Sequence, residues 1–112
     1  MYWMAVFLTI ARHTAESCPR MNEKGRKVIL DVAENLEALA KKSGVKLVGV
    51  WSGGAPYPQE HLIVSIYESP SLEAWEKLQM QPEVVAWNAL NTTETKIGIG
   101  LQDIVKMVRQ AK

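Results

Sequence analysis

The sequence predicts an α+β domain: a four-stranded antiparallel sheet with two main helices on one face and a short helix closing the chain. Three observations lead there. Segments rich in β-branched and aromatic residues alternate with segments of helical spacing, in the order β-α-β-β-α-β-α. Proline stands where each main helix begins, at Pro19 and Pro70. The first strand is apolar on both of its faces, so each face needs a cover. A chain of 112 residues makes one domain, 1–112, with no boundary or internal repeat within it.

The first strand spans Tyr2–Ala11. Its even residues (Tyr2, Met4, Val6, Leu8, Ile10) and its odd residues (Trp3, Ala5, Phe7, Thr9) are both largely apolar. Arg12–Cys18 is a polar connection. The first helix runs from Pro19 to about Ser43, with Val28, Val32, Leu36 and Leu39 as its stripe, Lys41 and Lys42 at its negative end, and Gly44 beyond it. Val45–Ser52 is the second strand, and the Gly- and Pro-dense segment 52–58 is its turn. Glu60–Tyr67 is the third strand, with Leu62, Val64 and Ile66 on one face and His61, Ile63, Ser65 and Tyr67 on the other.

Ser69 as N-cap and Pro70 as first residue start the second helix, which carries Leu72, Trp75 and Leu78, pauses near Pro82 and resumes through Val85 and Leu90. Thr92–Ile99 is a weaker fourth strand because of Gly98, and Leu101–Lys112 is a closing helix with Ile104, Val105 and Val108 on its apolar side. In this layout the even residues of the first strand meet the helices. Trp3, Ala5 and Phe7 then share the open face with Val48, Val50, Ile63 and Tyr67. An apolar face of that extent calls for a second copy of the chain, so a homodimer is expected.

Composition excludes several classes. Hydrophobic residues make up 47% of the chain and charged ones 22%, which is globular and not disordered. A net charge of +1 with Lys and Arg dispersed leaves no field for nucleic acid or anionic lipid. A single cysteine rules out an internal disulfide. The apolar segment Met1–Ala11 is too short to span a bilayer and lacks signal-peptide features, so the expected location is cytoplasmic.

The element order, the doubly apolar first strand and the phrase Tyr67-Glu68-Ser69-Pro70-Ser71-Leu72-Glu73-Ala74-Trp75 resemble the dimeric α+β barrel superfamily, across about residues 2–99. The segment Arg12-His13-Thr14-Ala15-Glu16-Ser17-Cys18-Pro19 is similar to one in small uncharacterised prokaryotic members. The resemblance implies a ferredoxin-like subunit whose sheet packs against that of a twin. It also implies a range of activities: cofactor-free oxygenases, muconolactone isomerases, haem enzymes, an iron-dependent sulfur oxygenase and ligand-sensing domains. The second helix has no histidine where haem-degrading relatives place their axial ligand, which argues against that chemistry.

Topology brings both histidines and the cysteine to one edge. The first and third strands run antiparallel, so His13 and Cys18, after the first, lie near Glu60 and His61, which open the third. Trp51, Trp87, Asn88 and Glu94 are expected nearby. Imidazole and thiolate suit zinc, copper or iron, so His13, Cys18 and His61 are candidate ligands of a transition metal, with Glu16 or Glu60 as a fourth group. Cys18 at a helix start is alternatively a reactive thiol. A substrate pocket between the sheet and its partner would be lined by Trp3, Phe7, Thr9, Trp51, Ser65 and Tyr67, with His61 as catalytic acid or base. Against each stands a plainer role: a solvated loop histidine, an inert cysteine, aromatics that merely pack. The expected function is a small-molecule-binding protein of oxygenase or isomerase type. The alternative is a non-catalytic assembly or ligand-sensing module whose open face serves subunit association alone.

Overall fold

The computed structural model describes residues 4–14, 17–54 and 60–111. The elements are β1 (Ala5–Thr14), a 3-10 turn (Pro19–Met21), α1 (Glu23–Ser43), β2 (Lys46–Gly54), β3 (Glu60–Ser69), α2 (Leu72–Gln79), α3 (Pro82–Leu90), β4 (Thr92–Ile99) and α4 (Leu101–Gln110). The four strands form one antiparallel sheet in the order β2-β3-β1-β4.

Local chemistry sets the element ends. Asn22 caps α1 by accepting the Gly25 N–H at 2.6 Å, and the helix stops at Gly44, whose φ of 85° is costly for any residue with a Cβ. Gly25 is required for a different reason. A Cβ there would run into the Pro19 carbonyl, so the bare backbone lets the 3-10 turn lie against the start of α1. Ser71, and not Ser69, caps α2 by accepting the Ala74 N–H at 3.0 Å; Ser69 ends β3, buried, and donates its hydroxyl to the Ser71 carbonyl at 2.8 Å. The second helix divides into α2 and α3 because Pro82 cannot donate to the preceding turn.

The strand register decides which face is which. Residues opposite one another in an antiparallel pair point to the same side. Phe7 lies opposite Tyr67, and Trp75 of α2 stacks on Phe7 at 4.3 Å and meets Tyr67 edge-on at 5.0 Å. Around this trio close Val32, Leu36, Leu39 and Ala40 of α1, Leu78 of α2 and Val84 of α3. The odd residues of β1 therefore face the helices, the reverse of the expectation. Both residue sets are apolar, so hydrophobicity could not choose. The wide rings of Phe7 and Tyr67 belong to the deep layer and the aliphatic even set to the other.

On the open face Val6, Leu8 and Ile10 from β1 and Leu62, Val64 and Ile66 from β3, all half-buried, make an aliphatic strip with Arg12 and Glu68 at its ends. A register shift between Leu47 and Gly49 puts Val48 in a bulge, so Trp51 lies opposite Val64 on this open side while Val50 lies opposite Ser65 on the other. The Trp51 indole folds back over Gly49, at a distance where a Cβ would collide. On β4, Lys96 and Glu94 pair at 2.8 Å and rim this surface. No described helix is long and apolar enough to cross a membrane. α4 stands off the body, with Ile104, Val105 and Val108 exposed.

Candidate functional site

The ladder continues past Ala11 to Thr14, which makes His13 a strand residue and not a loop residue. Its partner across the sheet is His61. His13 Nε2 and His61 Nδ1 are 3.0 Å apart, and the rings meet edge-on with centroids separated by 5.0 Å. Cys18, buried just before the 3-10 turn, completes the group. One ligand atom from each of His13, Cys18 and His61 lies within 4.8 Å of the others. Among the described residues these three form the cluster with metal-ligating spacing. Glu16 lies outside the described residues, and Glu60 pairs through its backbone with Thr14.

Asn91 organises the pair. Its Nδ2 donates to the Trp87 carbonyl at 2.9 Å, which fixes the amide with Oδ1 toward His13 Nδ1 at 2.8 Å. An oxygen there requires a proton on His13 Nδ1. Nε2 is then the ring nitrogen that faces His61 Nδ1, at 3.0 Å. The missed signal was an asparagine at the junction of α3 and β4, the sheet end to which both histidines belong. Asn88, named as a neighbour, instead bonds Gln79 and Thr93, and Glu94 lies opposite Ile10 on the open face.

Burial alone would raise the Cys18 thiol. The Arg20 side chain, whose Nε donates to Sγ at 3.4 Å, together with the Arg20 backbone and the two imidazoles, outweighs it and brings the thiol down to about 6.

A cavity of about 340 Å³ lies on the same side of the sheet as these groups, between it and the helices. Val32, Leu36, Ile63, Val84 and Trp87 are among its apolar wall residues, and Thr9, Glu37, Ser65, Tyr67, Gln79, Asn88 and Thr93 supply polar groups. The histidine pair stands beyond its Ile63 end: Ile63 and Ala11 form the rung between the cavity and the His13–His61 rung. Burial holds the Tyr67 phenol above its ordinary range, partly offset by the Ser65 hydroxyl.

The six residues expected to line a pocket against a partner are distributed differently. Thr9, Ser65 and Tyr67 do line a cavity, but one beneath the helices. Phe7 is core, 1% exposed under the Trp75 ring. Trp51 is on the opposite face of the sheet, turned there by the bulge in β2. Trp3 lies outside the described residues.

No protein-family model and no curated protein matches the sequence. Solved structures do match. A NIPSNAP-family protein of unknown function from Agrobacterium tumefaciens superposes with a TM-score of 0.56 at 21% identity, over 88% of this chain and 89% of its own. A candidate antibiotic biosynthesis monooxygenase from Nitrosomonas europaea gives 0.57 at 12% identity, over 90% and 93%. The chain is a ferredoxin-like α+β protein. That fold is neutral as to activity, since a de novo designed protein matches with a TM-score of 0.56 at 16% identity, over 87% of this chain and 98% of its own.

Proposed function

We propose that this ferredoxin-like protein binds a small, largely apolar molecule in the cavity between sheet and helices and acts on it in an oxygenase-like reaction. The observation that carries this reading is the cavity itself: about 340 Å³, apolar walls, a few polar atoms, and a histidine pair one rung beyond its end. Thr9, Ser65 and Asn88 suit a ligand with a flat apolar body and one or two hydrogen-bonding groups. His61 is the acid/base group of this reading, because imidazole can both accept and deliver a proton. Oxygenase chemistry is the arm put to the test because a candidate monooxygenase is among the proteins that share the fold.

The open face supports a homodimer by the same patterning argument, now with the even residues of β1. Six aliphatic side chains on two adjacent strands form a contiguous apolar surface, and a twin molecule is the economical cover for it. Because the cavity lies on the other side of the sheet, association and binding do not compete for space.

The reading is tested with 1-naphthol as the probe. Ala33 is exposed on α1 at the cavity wall, so Ala33→Trp fills the cavity without disturbing the core. The expected result is saturable binding by the metal-free protein, weakened at least tenfold in Ala33→Trp, and oxygen uptake with phenolic substrates that falls in His61→Ala. Equal 1-naphthol affinity in both proteins would refute the binding reading. Turnover unchanged in His61→Ala would refute the role given to that residue.

A further inference from the structure

We infer that His13 Nε2, His61 Nδ1 and Cys18 Sγ form a three-ligand site for a late first-row divalent metal ion, with Asn91 as the positioning residue that turns His13 toward it. This rests on the reading above and revises one role in it: in the metal-loaded protein His61 is a ligand and no longer the acid/base group, and the ion lies one rung beyond the Ile63 end of the cavity. The inference rests on the geometry of four side chains drawn from four separate parts of the chain.

The distances fit with small adjustments. Two imidazole nitrogens bound at about 2.0–2.1 Å in a tetrahedral shell lie about 3.3 Å apart, and a thiolate at about 2.3 Å lies about 3.5 Å from each nitrogen. The two nitrogens are already 3.0 Å apart, and the sulfur is within 4.8 Å of both. The histidines are held by neighbouring strands in register, so their separation is set by the sheet. Cys18 sits where the chain leaves the strand for the 3-10 turn, and a side-chain adjustment of about 1 Å brings its sulfur to the bonding distance given for zinc.

The protonation pattern agrees. Asn91 holds the proton of His13 on Nδ1, so Nε2 is the nitrogen left to ligate, 3.0 Å from His61 Nδ1 and within 4.8 Å of Cys18 Sγ. This is the arrangement usual for a ligating histidine, whose second nitrogen donates to a fixed acceptor. Without metal, His61 Nδ1 donates its proton to His13 Nε2. On binding, that proton moves to His61 Nε2, the ring remains neutral, and both lone pairs converge on the ion. Two imidazoles and one thiolate select iron, cobalt, copper or zinc over magnesium and calcium. Three protein ligands leave a fourth position for water or a donor atom of a substrate.

Cobalt(II) alone, titrated into the metal-free protein, tests the inference. The expected result is one equivalent bound per chain, with visible d–d bands and a thiolate-to-cobalt charge-transfer band. Cys18→Ser loses the charge-transfer band while keeping its circular dichroism spectrum and its 1-naphthol binding. Asn91→Leu weakens cobalt binding 10–100-fold, the usual cost of losing such a partner, and Asn91→Asp, which retains the acceptor, recovers most of it. Less than a tenth of an equivalent bound by folded protein overturns the inference, as does a charge-transfer band that survives Cys18→Ser. Loss of affinity in Asn91→Asp equal to that in Asn91→Leu removes the positioning role. Failure of cobalt binding alongside intact 1-naphthol binding would sink the metal site and leave the cavity reading in place.

Discussion

The two faces of the sheet are built from the same strands and differ in kind. The helix-covered face mixes aromatic, hydroxyl and imidazole groups: Phe7, Thr9 and His13 on β1, with His61, Ser65 and Tyr67 on β3. The open face carries an aliphatic strip, with Leu8 opposite Ile66 and Ile10 opposite Val64 and with Val6 and Leu62 at its ends, framed by Arg12, Glu68, Glu94 and Lys96. Strand alternation separates the two sets with no further device. A change to one face should therefore leave the other face's property standing, and each prediction below tries to break that independence.

The largest effect is expected in the buried layer. Phe7→Ala removes a ring stacked on Trp75 and should lower the unfolding free energy by about 3–5 kcal/mol in urea denaturation. Leu8→Ala, one residue along on the open face, should cost well under half of that at dilutions where any dimer has dissociated. Similar losses at both positions would erase the distinction between the faces.

The open face should break in a different way. Leu8→Glu combined with Val64→Lys places charges in the centre of the aliphatic surface. Sedimentation velocity should show the chain moving from dimer to monomer, while 1-naphthol affinity changes less than threefold. A parental protein that is already monomeric at high concentration would contradict the assembly reading.

A smaller effect tests how the cysteine is placed. Gly25→Ala forces a Cβ toward the Pro19 carbonyl. Overpacking of this sort costs about 1–3 kcal/mol, and here it should also push the 3-10 turn, and Cys18 with it, away from the histidines. Cobalt affinity should fall by at least tenfold, a larger proportional loss than an equally destabilising core substitution produces.

The smallest effect is a titration. In the metal-free protein Cys18 should ionise near pH 6, read from thiolate absorbance, whereas an unperturbed thiol ionises near 8.5. A depressed acid favours the folded state above the unfolded pKa. That contribution shrinks as pH falls from about 8.5 toward about 6 and is gone below it. Wild type should thus lose its stability margin over Cys18→Ala across that window on acidification. A thiol titrating at its ordinary value would show that Arg20 and the imidazoles do not act on it.

Much of this architecture is legible in the sequence, for identifiable reasons. Element order survives because Gly44 and the helical stripe of α1 are strong local signals, although Pro19 opens the 3-10 turn and not α1, and Pro70 lies before the Ser71 cap of α2. That the chain ends carrying His13 and His61 are neighbours follows from element order, whereas their meeting in register on one face depends on the ladder running on to Thr14. What could not be read is whatever depends on a choice between equivalents. Both residue sets of β1 are oily, so hydrophobicity does not tell which one the helices cover. A one-residue bulge after Leu47 sends Trp51 to the far side of the sheet, and nothing in Val-Gly-Val announces it. Asn91 was hidden because its role lies in a hydrogen bond to a residue 78 positions away.

The convergence of two imidazoles and a thiolate on one point is tested most directly by X-ray absorption at the zinc edge on protein loaded with one equivalent of zinc. The account predicts one sulfur at about 2.3 Å and two imidazole nitrogens at about 2.0–2.1 Å, with a light fourth ligand. A shell of nitrogen and oxygen alone, with no sulfur, would contradict it.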